Sequence, residues 1–262
     1  AAPSPAGRPG PRGAWVCPCR TRVQCQPPHA DYKHTRTAVA GAEAAGVDVV
    51  FNWDHFFPLY GEPDGQHFEC WTMLAAWAEA TERVEIGALV TCNSYRNPSL
   101  LADMSRTIDH ISGGRFTLGI GSGWFERDYK EYGYEFGTAP GRLRALERDL
   151  PIIMDRFSRL TPPPTGRLPI MIGGSGEKVT LKLVAQFADA FNTFGPPENF
   201  AHKNQVVTNW CNELGRDTKE VERTVANRPG DPANHAANDE PVARGAPATP
   251  GPPARPAPRD PH

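Results

Sequence analysis

Arg115-Phe-Thr-Leu-Gly-Ile-Gly-Ser-Gly-Trp-Phe-Glu-Arg-Asp-Tyr129 is the stretch on which the fold turns. Phe116, Leu118 and Ile120 alternate with small residues, which predicts a buried strand. Gly121-Ser-Gly123 then leaves the backbone bare and free to take positive φ. An aromatic pair, Trp124-Phe125, and three charged groups, Glu126, Arg127 and Asp128, follow directly. A strand that ends in glycine, aromatic and charged residues suits a rigid scaffold presenting a site. A strand followed by a plain surface turn is the competing reading, and the flanking sequence has to decide between them.

On both sides the same alternation repeats. Val47–Asn52, Val84–Thr91, Leu168–Ile172, Asp189–Phe194 and Val221–Val225 read as further strands, with Arg22–Gln26 as a short first one. Between them Asp31–Ala45, Phe68–Ala80, the stretch after Asn97-Pro98, Arg142–Leu160, Glu177–Phe187 and Asn199–Leu214 carry helical periodicity. Asn97 and Pro98 form an N-cap and N1 pair, Gly113-Gly114 a stop, and Pro151 a kink. Tyr129–Gly141 reads as a long loop with four aromatic residues. Strands alternating with helices, without hairpin signals, predict βαβ units and a parallel sheet. A doubly wound sheet and a (β/α)8 TIM barrel both fit. Seven strands in one domain favour the barrel, which normally needs about 250 residues. An eighth strand is not visible, so the barrel is expected to be incomplete at its C-terminal end.

The chain has 262 residues and a net charge of −2, with no basic footprint for nucleic acid. No apolar run approaches the roughly 20 residues of a membrane span, and no secretory signal is visible. A soluble, cytoplasmic protein is expected. Cys17, Cys19 and Cys25 cluster without the second pair that a tetrahedral metal site needs. Residues 1–21 are rich in Ala, Pro, Gly and Arg, and 228–262 hold ten prolines with Val242 as the only large apolar residue. Both are expected to be disordered tails, leaving 22–227 as the folded domain.

In a parallel α/β barrel the site lies at the C-terminal strand ends. Those ends carry Gln24 and Gln26; Asp54 and His55; Thr91, Cys92 and Asn93; Gly121–Asp128; Gly173–Lys178; and Asn192 and Thr193. No metal cluster, nucleophile elbow or P-loop is among them, and Gly119–Gly123 matches a dinucleotide fingerprint only superficially. Gly173-Gly-Ser-Gly176, read as opening a helix with Lys178 in its first turn, suits a phosphate. A tight connection that merely needs glycine fits it too. His55 is either a satisfied structural histidine or a proton-transfer group facing a redox cofactor. Cys92 reads as a small filler residue.

Asn52-Trp-Asp-His-Phe-Phe57, Ile86-Gly-Ala-Leu-Val-Thr91, Arg96-Asn-Pro98, Asp109-His-Ile-Ser-Gly-Gly-Arg115, Leu118-Gly-Ile-Gly-Ser-Gly-Trp124 and Ile172-Gly-Gly-Ser-Gly-Glu-Lys178 occur in that order. Together they resemble the luciferase-like monooxygenase superfamily, most closely its actinobacterial branch that uses the deazaflavin coenzyme F420. The resemblance runs from about Val23 to Val225. It implies a barrel that binds a deazaflavin or flavin across the strand ends and acts on a small-molecule substrate, with homodimerisation left open. Asp54 and His55 would lie beside the cofactor ring as the catalytic pair. Ala88-Leu89 would match a non-prolyl cis peptide behind the ring, and Thr91 would reach the ring's polar edge. Gly123 and Trp124 would line the cleft, while Gly174, Ser175, Gly176 and Glu177 would hold the phosphate. Where sugar-phosphate dehydrogenases of the family carry an acidic proton donor, this chain has Trp124, so a glucose-6-phosphate type of substrate is not expected.

Three functions follow from the resemblance and its departures. The first is an F420-dependent oxidoreductase and the second a monooxygenase using reduced FMN. The third is a non-catalytic remnant, since a barrel lacking a strand leaves two unpaired edges. The terminal segments read as frameshifted or truncated sequence.

Overall fold

Short apolar runs and amphipathic stretches alternate in space as they do in sequence. The computed structural model describes residues 20–25 and 29–226; the expected tails and Cys17 and Cys19 lie outside these described residues. The chain runs β1 (Arg22–Gln24), α1 (Tyr32–Ala44), β2 (Val49–Asn52), α2 (Cys70–Ala80), β3 (Glu85–Ala88) and β4 (Thr91–Cys92). It continues through α3 (Pro98–Ile111), β5 (Phe116–Gly121), α4 (Glu126–Tyr132), α5 (Ala139–Arg159) and β6 (Ile170–Gly173). Then come α6 (Thr180–Phe187), β7 (Ala190–Phe194), α7 (Pro197–Glu213) and β8 (Glu222–Ala226). All strand pairs are parallel, in the order β1-β2-β3-β5-β6-β7-β8, with β4 also pairing β5.

Parallel sheets need both faces covered. All of β2 and β5 is accordingly buried. The helices supply Trp71, Leu74 and Trp77 from α2, Leu101 and Ile108 from α3, and Leu146, Leu150 and Ile153 from α5. Arg115, at the entrance to β5, donates to the carbonyls of Ala78, Thr81 and Val84. It thereby satisfies carbonyls at the end of α2 that the helix cannot pair itself. Asn97 caps α3 through the Ser99 and Leu100 N–H groups, as its sequence position predicts.

The sheet is an open barrel. β1 and β8 form its two outer edges, and neither pairs with a further strand among the described residues. Arg22 and Glu222 nevertheless form an ion pair across the seam. This is the parallel α/β barrel lacking closure that the strand pattern predicts.

Four details differ from the sequence reading. The long loop after Gly123 is partly helical, since Glu126–Tyr132 forms α4. The expected helix from Glu177 starts at Thr180, leaving a turn between the glycines and the first helical residue. Lys178 therefore precedes α6 rather than lying in its first turn. Helix α5 begins at Ala139, three residues before the expected Arg142, and Pro151 lies inside it as an exposed residue.

The fourth difference lies in Val84–Thr91, which is two strands with a step between them. Before the step Gly87 pairs with Thr117, thirty residues on; after it Thr91 pairs with Ile120, twenty-nine on. One extra residue is accommodated, as in a β-bulge. The non-prolyl cis bond is Leu89–Val90, one residue later than the resemblance implied for Ala88-Leu89. Leu89 is anchored on both sides, donating its N–H to Asn52 O at 2.7 Å and accepting from Gln24 Nε2 at 3.1 Å.

The glycines of the opening stretch make room for this step. A Cβ on Gly119 would sit 1.9 Å from Ala88 O, and one on Gly121 or Gly173 would meet a Val90 methyl at 2.8 Å. Gly119→Ala should therefore destabilise the fold by about 1–3 kcal/mol through overpacking. Gly41→Ala, in α1 with open space around the added methyl, should instead stabilise it by about 0.5–1 kcal/mol. Denaturant midpoints of the two variants against the parent check this opposed pair.

Candidate functional site

β2 delivers Trp53, Asp54, His55 and Phe56 to the C-terminal mouth of the barrel, but Asp54 turns inward. It is 1% exposed, and Arg96 grips both its oxygens at 2.6 and 3.0 Å. The Cys92 N–H donates to the same carboxylate at 3.0 Å. Arg96 also bonds Glu69, the N-cap of α2. Asp54 is thus a buried anchor between β2, β4 and α2. The three hydrogen bonds it accepts come from Arg96 and Cys92, whereas His55, its expected catalytic partner, bonds elsewhere.

The carboxylate that does meet His55 is Asp128, 73 residues further on, in the first turn of α4. His55 Nδ1 lies 2.7 Å from Asp128 Oδ2. Tyr95 donates its hydroxyl to the same oxygen at 3.0 Å, and the Phe56 N–H donates to Oδ1 at 3.1 Å. Asp128 is wholly buried. Burial, with Cys92 and Asp128 adding, pushes the Tyr95 hydroxyl well above its ordinary value, so it stays a donor. The other two members of the charged trio face outward. Glu126 pairs with Lys130, while Arg127 bonds Asp64 and lies over the Phe57 ring. That surface pairing at four-residue spacing was the signal for a helix with Asp128 and Tyr129 on its inner side.

Aromatic rings enclose the imidazole. Trp53, Trp124 and Phe125 approach it at 6.0, 5.7 and 5.4 Å between centroids, each close to perpendicular. Trp124 is 63% exposed and forms an open wall of the mouth. Trp53 is held in turn by His67, whose Nε2 accepts from the indole Nε1 at 2.9 Å. Burial, with His55 close by, holds the His67 imidazole down to about 4.

The other predicted site residues divide. Thr91 is fully buried and its hydroxyl has no partner. The same holds for Asn52 Nδ2, Asn192 Oδ1 and Thr193 Oγ1, all at the ends of β2 and β7. Buried polar atoms normally find a partner, so this group of orphans at the strand ends marks where a polar ligand edge fits. Ala88 is buried, whereas Leu89 and Val90 are half-exposed and offer an apolar surface at the mouth. Gly123 is half-exposed, and a Cβ there would strike the Tyr129 hydroxyl and Cys92 Sγ at 2.0 and 2.5 Å, so only glycine fits. Burial pushes the Cys92 thiol up to about 11, in keeping with a filler residue.

At the glycine turn, Gly174 donates its N–H to Asn192 O, which leaves Ser175 and Gly176 exposed and free of the ladder. Glu177 faces away from them. Its carboxylate bonds His202 and Lys203 of α7, and Trp210 Nε1 donates to its carbonyl. This carboxylate docks the turn on α7. Among the described residues no cluster of His, Cys, Asp and Glu could hold a metal ion. No helix among them is long and apolar enough to cross a membrane.

Polar and aromatic groups thus gather at the C-terminal strand ends of an open parallel α/β barrel, the end where such barrels carry their sites. The family model described as luciferase-like monooxygenase matches residues 12–229, and the chain belongs to that family. Rv3520c of Mycobacterium tuberculosis, provisionally named a coenzyme F420-dependent oxidoreductase, is 30% identical over 66% of this chain and 48% of its own. The chain thus spans about half the length of the curated relatives it matches. An F420-dependent secondary alcohol dehydrogenase, solved with an F420-acetone adduct, has the same fold. Its TM-score is 0.73 at 20% identity, over 79% of this chain and 68% of its own. The oxygenating constituent of 3,6-diketocamphane monooxygenase from Pseudomonas putida, solved with FMN, aligns at TM-score 0.64 and 15% identity. That alignment covers 78% of this chain and 66% of the other.

Two tests address this architecture. Arg96→Met leaves Asp54 buried without its cation and should cost about 3–5 kcal/mol in chemical denaturation. For His67, the unfolded ring takes up a proton near about pH 6.5, before the folded ring does. Stability should therefore fall as pH drops from about 6.5 to 4 and level off below. Melting profiles across that range should be flatter for His67→Gln.

Proposed function

We propose that this chain belongs to an F420-dependent oxidoreductase that moves a hydride between the deazaflavin and a small organic substrate. The observation that carries the reading is His55, fixed among aromatic rings at the same strand-end side as the half-exposed Leu89–Val90 step and the unpartnered polar atoms. These residues fit a tricyclic cofactor with one polar edge. Leu89 and Val90 would lie behind the ring, and Asn52 and Thr91 would bond the pyrimidine edge. Ser175 and Gly176, with Lys178, would hold the phosphate. The likeness to Rv3520c and to the F420-dependent secondary alcohol dehydrogenase favours F420.

When bound, the deazaflavin supplies the two-electron hydride chemistry. The chain's own work is to orient the reactants, exclude water and balance the charge. A hydride delivered to a carbonyl carbon leaves an alkoxide that needs one proton, and His55 is the titratable group facing the mouth that can give it. In the reverse direction it takes the alcohol proton. The aromatic walls from Trp53, Trp124 and Phe125 suit an uncharged substrate, since Arg127 and Arg142 are each bonded to protein groups. A cytoplasmic setting agrees with the free thiols of Cys25, Cys70, Cys92 and Cys211.

The second reading, an FMN-dependent monooxygenase, draws on the likeness to the FMN-bound structure. Fluorescence titration of the purified chain with each cofactor separates the two: F420 binding is expected, and tight binding of FMN alone would sink the first reading. Ser175→Ala combined with Gly176→Val should weaken F420 binding by roughly tenfold or more, the loss of one hydrogen bond to a charged group. Unchanged affinity returns the turn to a plain connection. A chain that shows no cooperative melting, with or without cofactor, would instead be a non-catalytic remnant.

A further inference from the structure

We infer that Asp128 is a positioning residue that holds the His55 imidazole with its proton on Nδ1, leaving Nε2 as the atom that exchanges a proton at the mouth. Three contacts converge on the carboxylate, and two of them are fixed in direction. The Phe56 N–H can only donate, and the Tyr95 hydroxyl donates to Oδ2. The third, from His55 Nδ1 at 2.7 Å, then falls on an oxygen already serving as an acceptor. Hydrogen bonds to a carboxylate stabilise its charged form. The first turn of a helix adds to this, because its free N–H groups favour a negative side chain. Among the described residues no lysine or arginine is paired with Asp128, and His55 is the basic side chain in contact with it.

The remaining surroundings keep the ring from turning over, which would put Cδ2 in place of Nδ1 against Asp128. Trp53, Trp124 and Phe125 meet it at interplanar angles of 86°, 74° and 86°, so a ring flip would sweep against three aromatic neighbours. The other titratable groups nearby are committed elsewhere. His67 lies against the far partner, Trp53, and accepts its indole proton, while Asp54 and Arg96 are closed on each other. A histidine fixed in one tautomer by a buried acceptor is the arrangement that proton-transfer sites use to aim the second nitrogen. Nothing in the local sequence couples the two residues, because α4 reaches His55 only through the fold.

The catalytic consequence rests on the proposed function, but the tautomer does not, and the experiment separates them. Long-range 1H–15N spectra of the full chain, 15N-labelled at histidine and without cofactor, report which nitrogen of neutral His55 carries the proton. Nδ1–H is expected in the parent. In Asp128→Asn the amide N–H2 donates to Nδ1 and the proton moves to Nε2, and Asp128→Glu restores the parent tautomer. With F420 and a secondary alcohol, Asp128→Asn should lower kcat by about 10²-fold or more while cofactor affinity and KM hold. A parent spectrum with the proton on Nε2, or an Asp128→Asn spectrum unchanged from it, overturns the inference. The parent spectrum decides the matter even if Asp128→Asn does not fold. Failure to bind F420 would count against the proposed function alone, since the tautomer is read without cofactor.

Discussion

Clearance between the Leu89–Val90 step and the glycines facing it governs the upper half of the barrel. The step needs an extra residue between β3 and β4, and the Val90 methyls need a place to go. Gly119, Gly121 and Gly173 provide it, since a methyl at any of them would overlap the step. Removing that clearance would force apart β3, β5 and β6, the strands whose ends carry the candidate site. The step also sets its own neighbours: Leu89 ties back to β1 through Gln24 and to β2 through Asn52. Four strands thus converge on one local feature, which leaves a half-exposed apolar surface at the mouth.

Two aspartates near this feature have opposite roles for reasons of environment. Asp54 is next to His55 in the chain, yet strand alternation turns it to the other side, where Arg96 and the Cys92 N–H consume its oxygens. Asp128 is distant in sequence but is brought over the β2 end by α4, where it accepts from His55, Tyr95 and Phe56. Both are buried carboxylates, and both require partners. Asp54 has an arginine and becomes a structural anchor. Asp128 has an imidazole whose second nitrogen remains available, and that difference makes it useful at a site.

Much of the barrel was legible because a repeating pattern leaves a strong imprint. Buried parallel strands must be apolar throughout, and their covering helices must show a 3.6-residue stripe, so β2, β5 and α3 declare themselves. The Asn97-Pro98 cap could be read for a similar local reason. The glycines were visible too, but their purpose was not. Read alone, Gly121-Ser-Gly123 gave only bare backbone, whereas the fold uses Gly121 to admit Val90 and Gly123 to admit Cys92 and Tyr129. The partners of the Glu177 carboxylate, His202 and Lys203, lie on a later helix that the turn itself does not foreshadow.

Local composition, then, determined the order of strands and helices, the parallel sheet and the end of the barrel where polar groups gather. These follow from burial and periodicity, which act over a few residues at a time. Tertiary structure alone decided which carboxylate meets His55, what the glycines make room for and which polar atoms remain unpartnered at the mouth. Each of those depends on side chains from separate βα units arriving within hydrogen-bonding or van der Waals distance. Such distances are set by strand register and helix docking, and no single stretch of the chain encodes them.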